Sequence, residues 1–405
     1  MSSLPIRKTE LIALIAMMFA TIAFSIDSML PALPEIAGAL SPDNVNAAQL
    51  VLTVFVLGMG IGTFFTGPLS DTYGRKPVVI AGAVIYCISA VVAARAQTLE
   101  VLLAARLAQG LGAAGPRVVA LAIIRDLVAG REMARIMSFV MIVFTLVPAL
   151  APSLGAVIIA FAGWRGVFMA FVLFSVISVV WLMLRLPETH PPEKRRPFSV
   201  RALGSAAGEM VAHPVVRISI LVQALAFGMM FSMLSSVQPV YDVTFGRGDQ
   251  FPLWFGGVAL AAGAASFINA ALVVRLGMRR IVTTIIAVQM ATSATMVLLS
   301  LAPVPEQVYF AAFVFWQATV FFMAGLSIGN LNAIAMEPLG HIAGLAASLI
   351  GSIATVSAVI LAIPVGLMFD GTPLPLAVAM AIEATLALGL MLHMRRVETA
   401  LPATA

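Results

Sequence analysis

The sequence of 405 residues predicts an all-α membrane protein, with twelve transmembrane helices in two pseudo-symmetric six-helix bundles. Three observations predict it. Hydrophobic residues make up 61% of the chain and charged residues only 10%, with a mean hydropathy of +1.06; a soluble domain carries about a quarter charged residues. Apolar runs of about twenty residues, enough to cross a bilayer, recur along the whole length. One long polar interval then separates six such runs from six others.

The spans fall near 11–32, 47–70, 77–95, 99–123, 136–160, 165–186, 215–240, 252–275, 280–301, 307–332, 342–368 and 374–393. The side holding the N-terminus carries Arg7, Lys8, Arg75, Lys76, Arg125, Arg131 and Arg135, with further cations in the linker and at later span ends. The opposite side carries only Arg95, Arg165 and Arg247. That imbalance places both termini in the cytoplasm. The first span lacks a convincing cleavage site and is expected to be retained. The net charge of +5 reflects this sidedness, so lipid rather than nucleic acid is the expected partner. Cys87 is the single cysteine and lies in an apolar run, which rules out an intramolecular disulfide or a cysteine metal cluster.

The polar interval sets the domains: a bundle over 1–186, a cytoplasmic linker over 187–214 with a short surface helix near 200–211, and a bundle over 215–405. Between spans 2 and 3 stands Gly67-Pro-Leu-Ser-Asp71-Thr-Tyr-Gly74-Arg75-Lys76-Pro77. Asp71 closes one helix, Gly74 permits a tight reversal, and Arg75 and Lys76 begin the next. Sidedness alone accounts for the cations, but not for the Asp or for glycines at both positions. A shift of 203 residues lands on Asn269 to Arg280, where the glycine (Gly277) and the basic cluster recur but Val274 replaces the carboxylate. Such weak duplication is how many transporters are built, with the substrate site at the repeat interface.

Charges inside spans are expensive, about 2.5–3.5 kcal/mol each on insertion scales, and so mark candidate sites. Asp27 lies roughly 24 Å along span 1, and Arg106 about 10 Å into span 4 from the other side. Their similar depth permits a direct or water-bridged pair, either a proton-exchange site or a plain packing pair. Gln109 follows Arg106 within a stretch rich in small residues, suited to close helix contact. Arg117, farther down the same span, either lines the inner cavity or snorkels to the cytoplasm. In the second half, Gln223, Gln238, Asn269, Gln317, Asn330 and Asn332 are candidate cavity polar groups. Met229, Met230 and Met233, with Phe227 and Phe231, form either an adaptable apolar wall or a lipid-facing surface. Glu383, near the middle of span 12, is assigned a helix–helix hydrogen bond or a permanently protonated state.

The G-x-L-x-D-x-x-G-R-K loop resembles the signature loop of the major facilitator superfamily. The resemblance implies a gate on the cytoplasmic side, in which Asp71 faces the start of span 11 and Arg75 pairs with Asp126 at the end of span 4; Gly67, Gly74 and Lys76 belong to the same element. Span 5 resembles the superfamily's antiporter motif G-x-x-x-G-P-x-x-G-G: Pro152 and Gly155 match, whereas Val147, Ala151 and Ala156 depart. Gly163-Trp164-Arg165, Pro187-Glu188-Thr189 and the span 11 stretch from Ala343 to Gly351 extend the likeness to the drug:proton antiporters of the bicyclomycin/chloramphenicol-resistance (Bcr/CflA) subgroup. Proton-coupled efflux of small amphipathic compounds by a monomer is therefore expected. The alternatives are a metabolite exporter or a proton symporter on the same scaffold, or a non-transporting receptor. No H-E-x-x-H, G-x-S-x-G or Walker loop is present, so an enzyme or ATP-driven pump has no support. The four histidines are scattered near loops and span ends, so no metal or other cofactor is expected beyond the proton gradient itself.

Overall fold

A chain this apolar must satisfy its backbone internally, because lipid offers no hydrogen bonds. The computed structural model describes residues 6–400, and among them helix dominates and no strand occurs. The helices are α1 (Lys8–Asp27), α2 (Leu33–Leu40), α3 (Leu50–Tyr73), α4 (Arg75–Ala94), α5 (Leu99–Leu127), α6 (Gly130–Arg185), α7 (Val200–Ala212), α8 (Pro214–Pro239), α9 (Phe251–Leu276), α10 (Met278–Leu301), α11 (Glu306–Met336), α12 (Ala343–Leu367) and α13 (Leu374–Ala400).

Ten helical stretches among the described residues are long and apolar enough to cross a membrane. Two of these, of 51 and 62 residues, are each long enough for two crossings, which gives the twelve expected. No polar loop divides spans 5 and 6. The chain reverses at Gly163 alone, whose φ of 62° and ψ of −178° lie outside the helical range and favour glycine. Spans 10 and 11 are divided by a 3-10 turn over Glu337–Ile342. Span 1 is likewise longer than its hydropathy suggests. It breaks after Asp27, passes through a 3-10 turn at Leu30–Ala32, and continues as α2.

The chain divides into two compact units between Val200 and Arg201. In the first, α3 and α4 pack against α5, and α1 and α4 against α6. Leu14, Ile15, Val119, Ile123, Val140 and Leu182 belong to one buried cluster there. In the second unit, α8 packs against α11, α12 and α13, and α10 against α11 and α13. Helix α7 buries Leu203, Ala206 and Met210, one face of an amphipathic turn pattern.

The small residues of span 4 are used as expected. A side chain at Gly110 would run into the Phe55 carbonyl of α3, and one at Gly112 into the Gly82 carbonyl and the Tyr86 amide of α4. Backbone thus meets backbone on two faces of α5, a contact larger residues would prevent. Gly112→Leu is expected to lower the melting temperature and the monodisperse yield of the purified protein. Gly38→Leu, where nothing lies within 4 Å, should leave both unchanged; equal behaviour of the two variants would refute this packing account.

Candidate functional site

Arg106 joins three helices of the first unit. It sits two turns into α5, whose start is capped by Thr98 accepting from the Val101 amide, and it is 0% exposed. Its Nε donates to the Val51 carbonyl of α3 at 2.9 Å, its Nη2 to the Ser25 carbonyl of α1 at 3.1 Å, and its Nη1 to Gln109 Oε1 at 2.8 Å. The guanidinium lies 4.2 Å from the Phe55 ring centre and 5.9 Å from that of Phe168. Carbonyl dipoles and aromatic faces therefore surround this cation in place of an acid.

Of the direct or water-bridged pair with Asp27 that their depths permit, the direct form is not found among the described residues. Asp27 is 4% exposed, and its carboxyl takes part in none of the ion pairs or side-chain hydrogen bonds of the described residues. Depth along the axis was matched, but rotation about it was not. Ser25 points to α4, where its Oγ meets the Tyr86 hydroxyl at 2.5 Å. Asp27, two residues on, is turned about 200° from it. The carboxylate instead occupies the last α-helical residue before the break in span 1, next to Ser28. Gly155 of α6 abuts the Ser28 carbonyl so closely that a Cβ there would overlap it. Pro152, one turn earlier, is buried. Discontinuous membrane helices of this kind are where transporters place ligand groups.

The signature loop is a compact ionic latch. Gly74, at φ 101°, has no side chain to cap α4. Glu188 does so instead from just beyond α6: its Oε1 accepts from the Arg75 amide at 2.9 Å, and its Oε2 from the Lys76 amide at 3.0 Å. The His190 amide adds a third bond at 2.9 Å. Burial alone would raise the Glu188 pKa, but these three donors outweigh it and hold the carboxyl below the ordinary glutamate value. Arg75 is 6% exposed and contacts Asp126 through Nε at 2.9 Å, Ser70 Oγ at 2.8 Å and Asp71 at 2.5 Å. Thr189 also donates to Asp126, and Lys76 Nζ binds the Leu186 carbonyl at 2.7 Å, closing the end of α6. Gly67 is half-buried one turn before Asp71, whose own side chain is 54% exposed.

Sequence reasoning named Glu188 only within a motif of the resemblance, without its capping role, and missed three further acids. A glycine immediately before a helix start was the available signal: such a start must borrow its cap. Glu35 does the same at the Gly163 reversal, accepting from the Trp164 amide at 3.1 Å. In the second unit, Arg279 pairs with Glu337 at 2.7 Å and Glu398 at 2.6 Å. The carboxylate lost at Val274 is thus replaced by acids from other helices.

The remaining candidates fare unevenly. Arg117 is exposed and makes no ion pair among the described residues. Asn330 donates to Asn269 at 2.7 Å, joining α11 to α9. Gln223 and Gln238 are buried, and the Gln223 Oε1 has no partner among the described residues. Gln317 accepts from the Tyr241 hydroxyl at 2.9 Å. Met229 and Met233 are fully buried, Met230 is half-buried, and Phe227 stacks on Phe231 at 5.7 Å. No group of three or more His, Cys, Asp or Glu among the described residues is placed to hold a metal ion.

The family model of the Major Facilitator Superfamily matches residues 13–392. The chain belongs to that superfamily. It is a multi-pass membrane transporter and not an enzyme. It is 29% identical over 338 residues to a "Bicyclomycin resistance protein homolog" of Haemophilus influenzae, covering 82% of each chain. It is 30% identical over 335 residues to the "Multidrug resistance protein MdtL" of Escherichia coli, covering 80% of each. Among solved structures, a D-xylose-proton symporter superposes with a TM-score of 0.75 at 14% identity, over 94% of this chain and 96% of that one. That likeness concerns the fold alone.

Two variants test the superfamily member's inner geometry. Arg106→Lys keeps the charge but not the planar fork. It should lose more stability than the about 1 kcal/mol of one hydrogen bond, read as a drop in melting temperature; a drop no larger than that of Gln109→Ala would refute the three-helix role. Glu188 has a depressed pKa, so its contribution is present above the unfolded glutamate value and lost as pH falls through the folded one. Glu188→Gln should therefore lower the melting temperature near neutral pH by the loss of a cap worth about 1 kcal/mol. The gap from wild type should close in acid, and a gap independent of pH would count against the cap.

Proposed function

We propose that this transporter is a proton-driven exporter of small amphipathic compounds, drugs included, acting as a monomer in a bacterial inner membrane with both termini in the cytoplasm. The observation that carries the reading is Asp27: a buried carboxylate, without a cationic partner among the described residues, at the break of span 1. Lipid-embedded acids without such a partner are costly and mark proton or substrate pathways. The names of the Haemophilus influenzae and Escherichia coli relatives support drugs as the cargo. The arginine excess on the signature-loop side supports the orientation.

The mechanism is alternating access. In the inward-open state, substrate binds an apolar wall that includes Met230, and Asp27 releases its proton to the cytoplasm. After the switch outward, substrate leaves and a periplasmic proton neutralises Asp27, which favours return. Arg117, exposed within its span, lines water-filled space in this scheme, because a cation facing lipid there is costly. Gln109 holds Arg106, and Arg106 in turn holds span 1 beside the carboxylate. Asp71, Arg75, Lys76 and Asp126, with Gly67 and Gly74, form the gate that stabilises one access state. Gln223, Gln238, Asn269 and Asn330 supply polar contacts in the second half.

In proteoliposomes with a pH-sensitive dye, wild-type protein is expected to move protons opposite to phenicols, bicyclomycin-like compounds or lipophilic cations. Asp27→Asn should fold yet lose that coupled movement. Full proton-coupled efflux by the variant would sink the assignment of Asp27, and co-directional movement would make the protein a symporter.

A further inference from the structure

A second buried carboxyl lies outside the scheme above. Glu383, midway along α13, is 6% exposed, and its Oε2 is buried with no hydrogen-bond partner among the described residues. Its Oε1 faces α8 at Gly228, where a Cβ would lie 3.4 Å from it and 3.3 Å from Leu361 of α12. The carboxyl is therefore wedged where α8, α12 and α13 meet, in space that the missing side chain of Gly228 leaves open.

An ionised group in such a place needs a cation. None faces it. On α8 the one titratable residue is Arg217, about 16 Å along the helix from Gly228, and it donates to the Val211 carbonyl. On α10 they are Arg279 and Arg280 in the first turn, with Arg279 held by Glu337 and Glu398. Helix α12 carries none. On α13 itself, His393, Arg395 and Arg396 stand about 15 Å or more along the axis, and Glu398 is engaged by Arg279. With no cation in reach among the described residues, the occupant of lowest cost is a proton.

We propose that Glu383 is a second proton-binding site, occupied in the resting protein and independent of Asp27. Its proton leaves when α8 moves off α13, which ties release to movement of span 7. This last consequence rests on the proton-driven reading; the occupancy does not.

Infrared spectroscopy of purified protein separates the carbonyl band of a protonated carboxyl from carboxylate bands. At neutral pH a protonated band is expected that shifts when glutamate side chains are labelled with ¹³C. It should be lost in Glu383→Gln and persist in Asp27→Asn. The labelling arm needs no variant, so a misfolded Glu383→Gln would not blunt the test. A band unmoved by glutamate labelling, or unchanged in Glu383→Gln, overturns the proposal. In proteoliposomes, Glu383→Gln should move fewer protons per substrate than wild type. A glutamate band without any wild-type proton counterflow would support this site and sink the transport reading. Counterflow without the band would do the reverse.

Discussion

A guanidinium buried among three helices, with carbonyl oxygens in place of an acid, is the interaction on which the first unit depends. Arg106 stays charged in any protein environment, so its five donors must find acceptors wherever the fold takes it. It finds the Val51 and Ser25 carbonyls, which belong to spans 2 and 1, and the Gln109 side chain on its own helix. The two carbonyl bonds each fix a distance between helices that van der Waals packing alone would leave adjustable. The close backbone contacts at Gly110 and Gly112 are compatible with this arrangement because nothing bulky holds α5 away from its neighbours. Span 1 is thereby held at Ser25, two residues from the carboxylate that the transport scheme uses.

Helix starts impose the second constraint. Four amide groups at each start lack partners within the helix, and a reversal made by glycine supplies no side-chain cap. The fold answers with acids brought from a distance: Glu188 at α4 and Glu35 at the Gly163 reversal. The same economy appears in the second unit, where Arg279 draws acids from the ends of α11 and α13. At the signature loop the cap and the ion pairs share residues, since Arg75 offers its amide to Glu188 and its side chain to Asp126 and Asp71. Disturbing one bond there disturbs the others, which is the behaviour expected of a latch.

Much of this was legible in the chain. Runs of apolar residues announce spans because a bilayer demands about twenty of them, and the predicted helices stand at the expected places. The division of spans 5 and 6 was expected between 160 and 165, and there a single glycine, Gly163, makes the reversal. Asp126 was legible as a partner for Arg75 through the resemblance of the loop to the superfamily's signature. The Asp27–Arg106 pair could not be judged in this way. Equal depth is a one-dimensional measure, whereas contact also needs the correct rotation of each helix, and Ser25 rather than Asp27 turns toward α4 and α5. The candidate amides of the second half, Asn269 and Asn330, were recognisable as polar groups in apolar spans, but not as partners of each other.

The sequence by itself determined that the chain crosses a membrane about twelve times, where the crossings lie, and which few charges had to be accommodated within them. Those properties follow from composition and length, which lipid reads without regard to neighbours. Only the tertiary structure decided what each charge meets. Whether a buried cation faces an acid or a carbonyl, and whether a buried acid has any partner at all, depends on helix rotation set by many small packing contacts. For Arg106 that rotation supplied acceptors on two neighbouring spans, and for Asp27 and Glu383 it supplied no cation among the described residues.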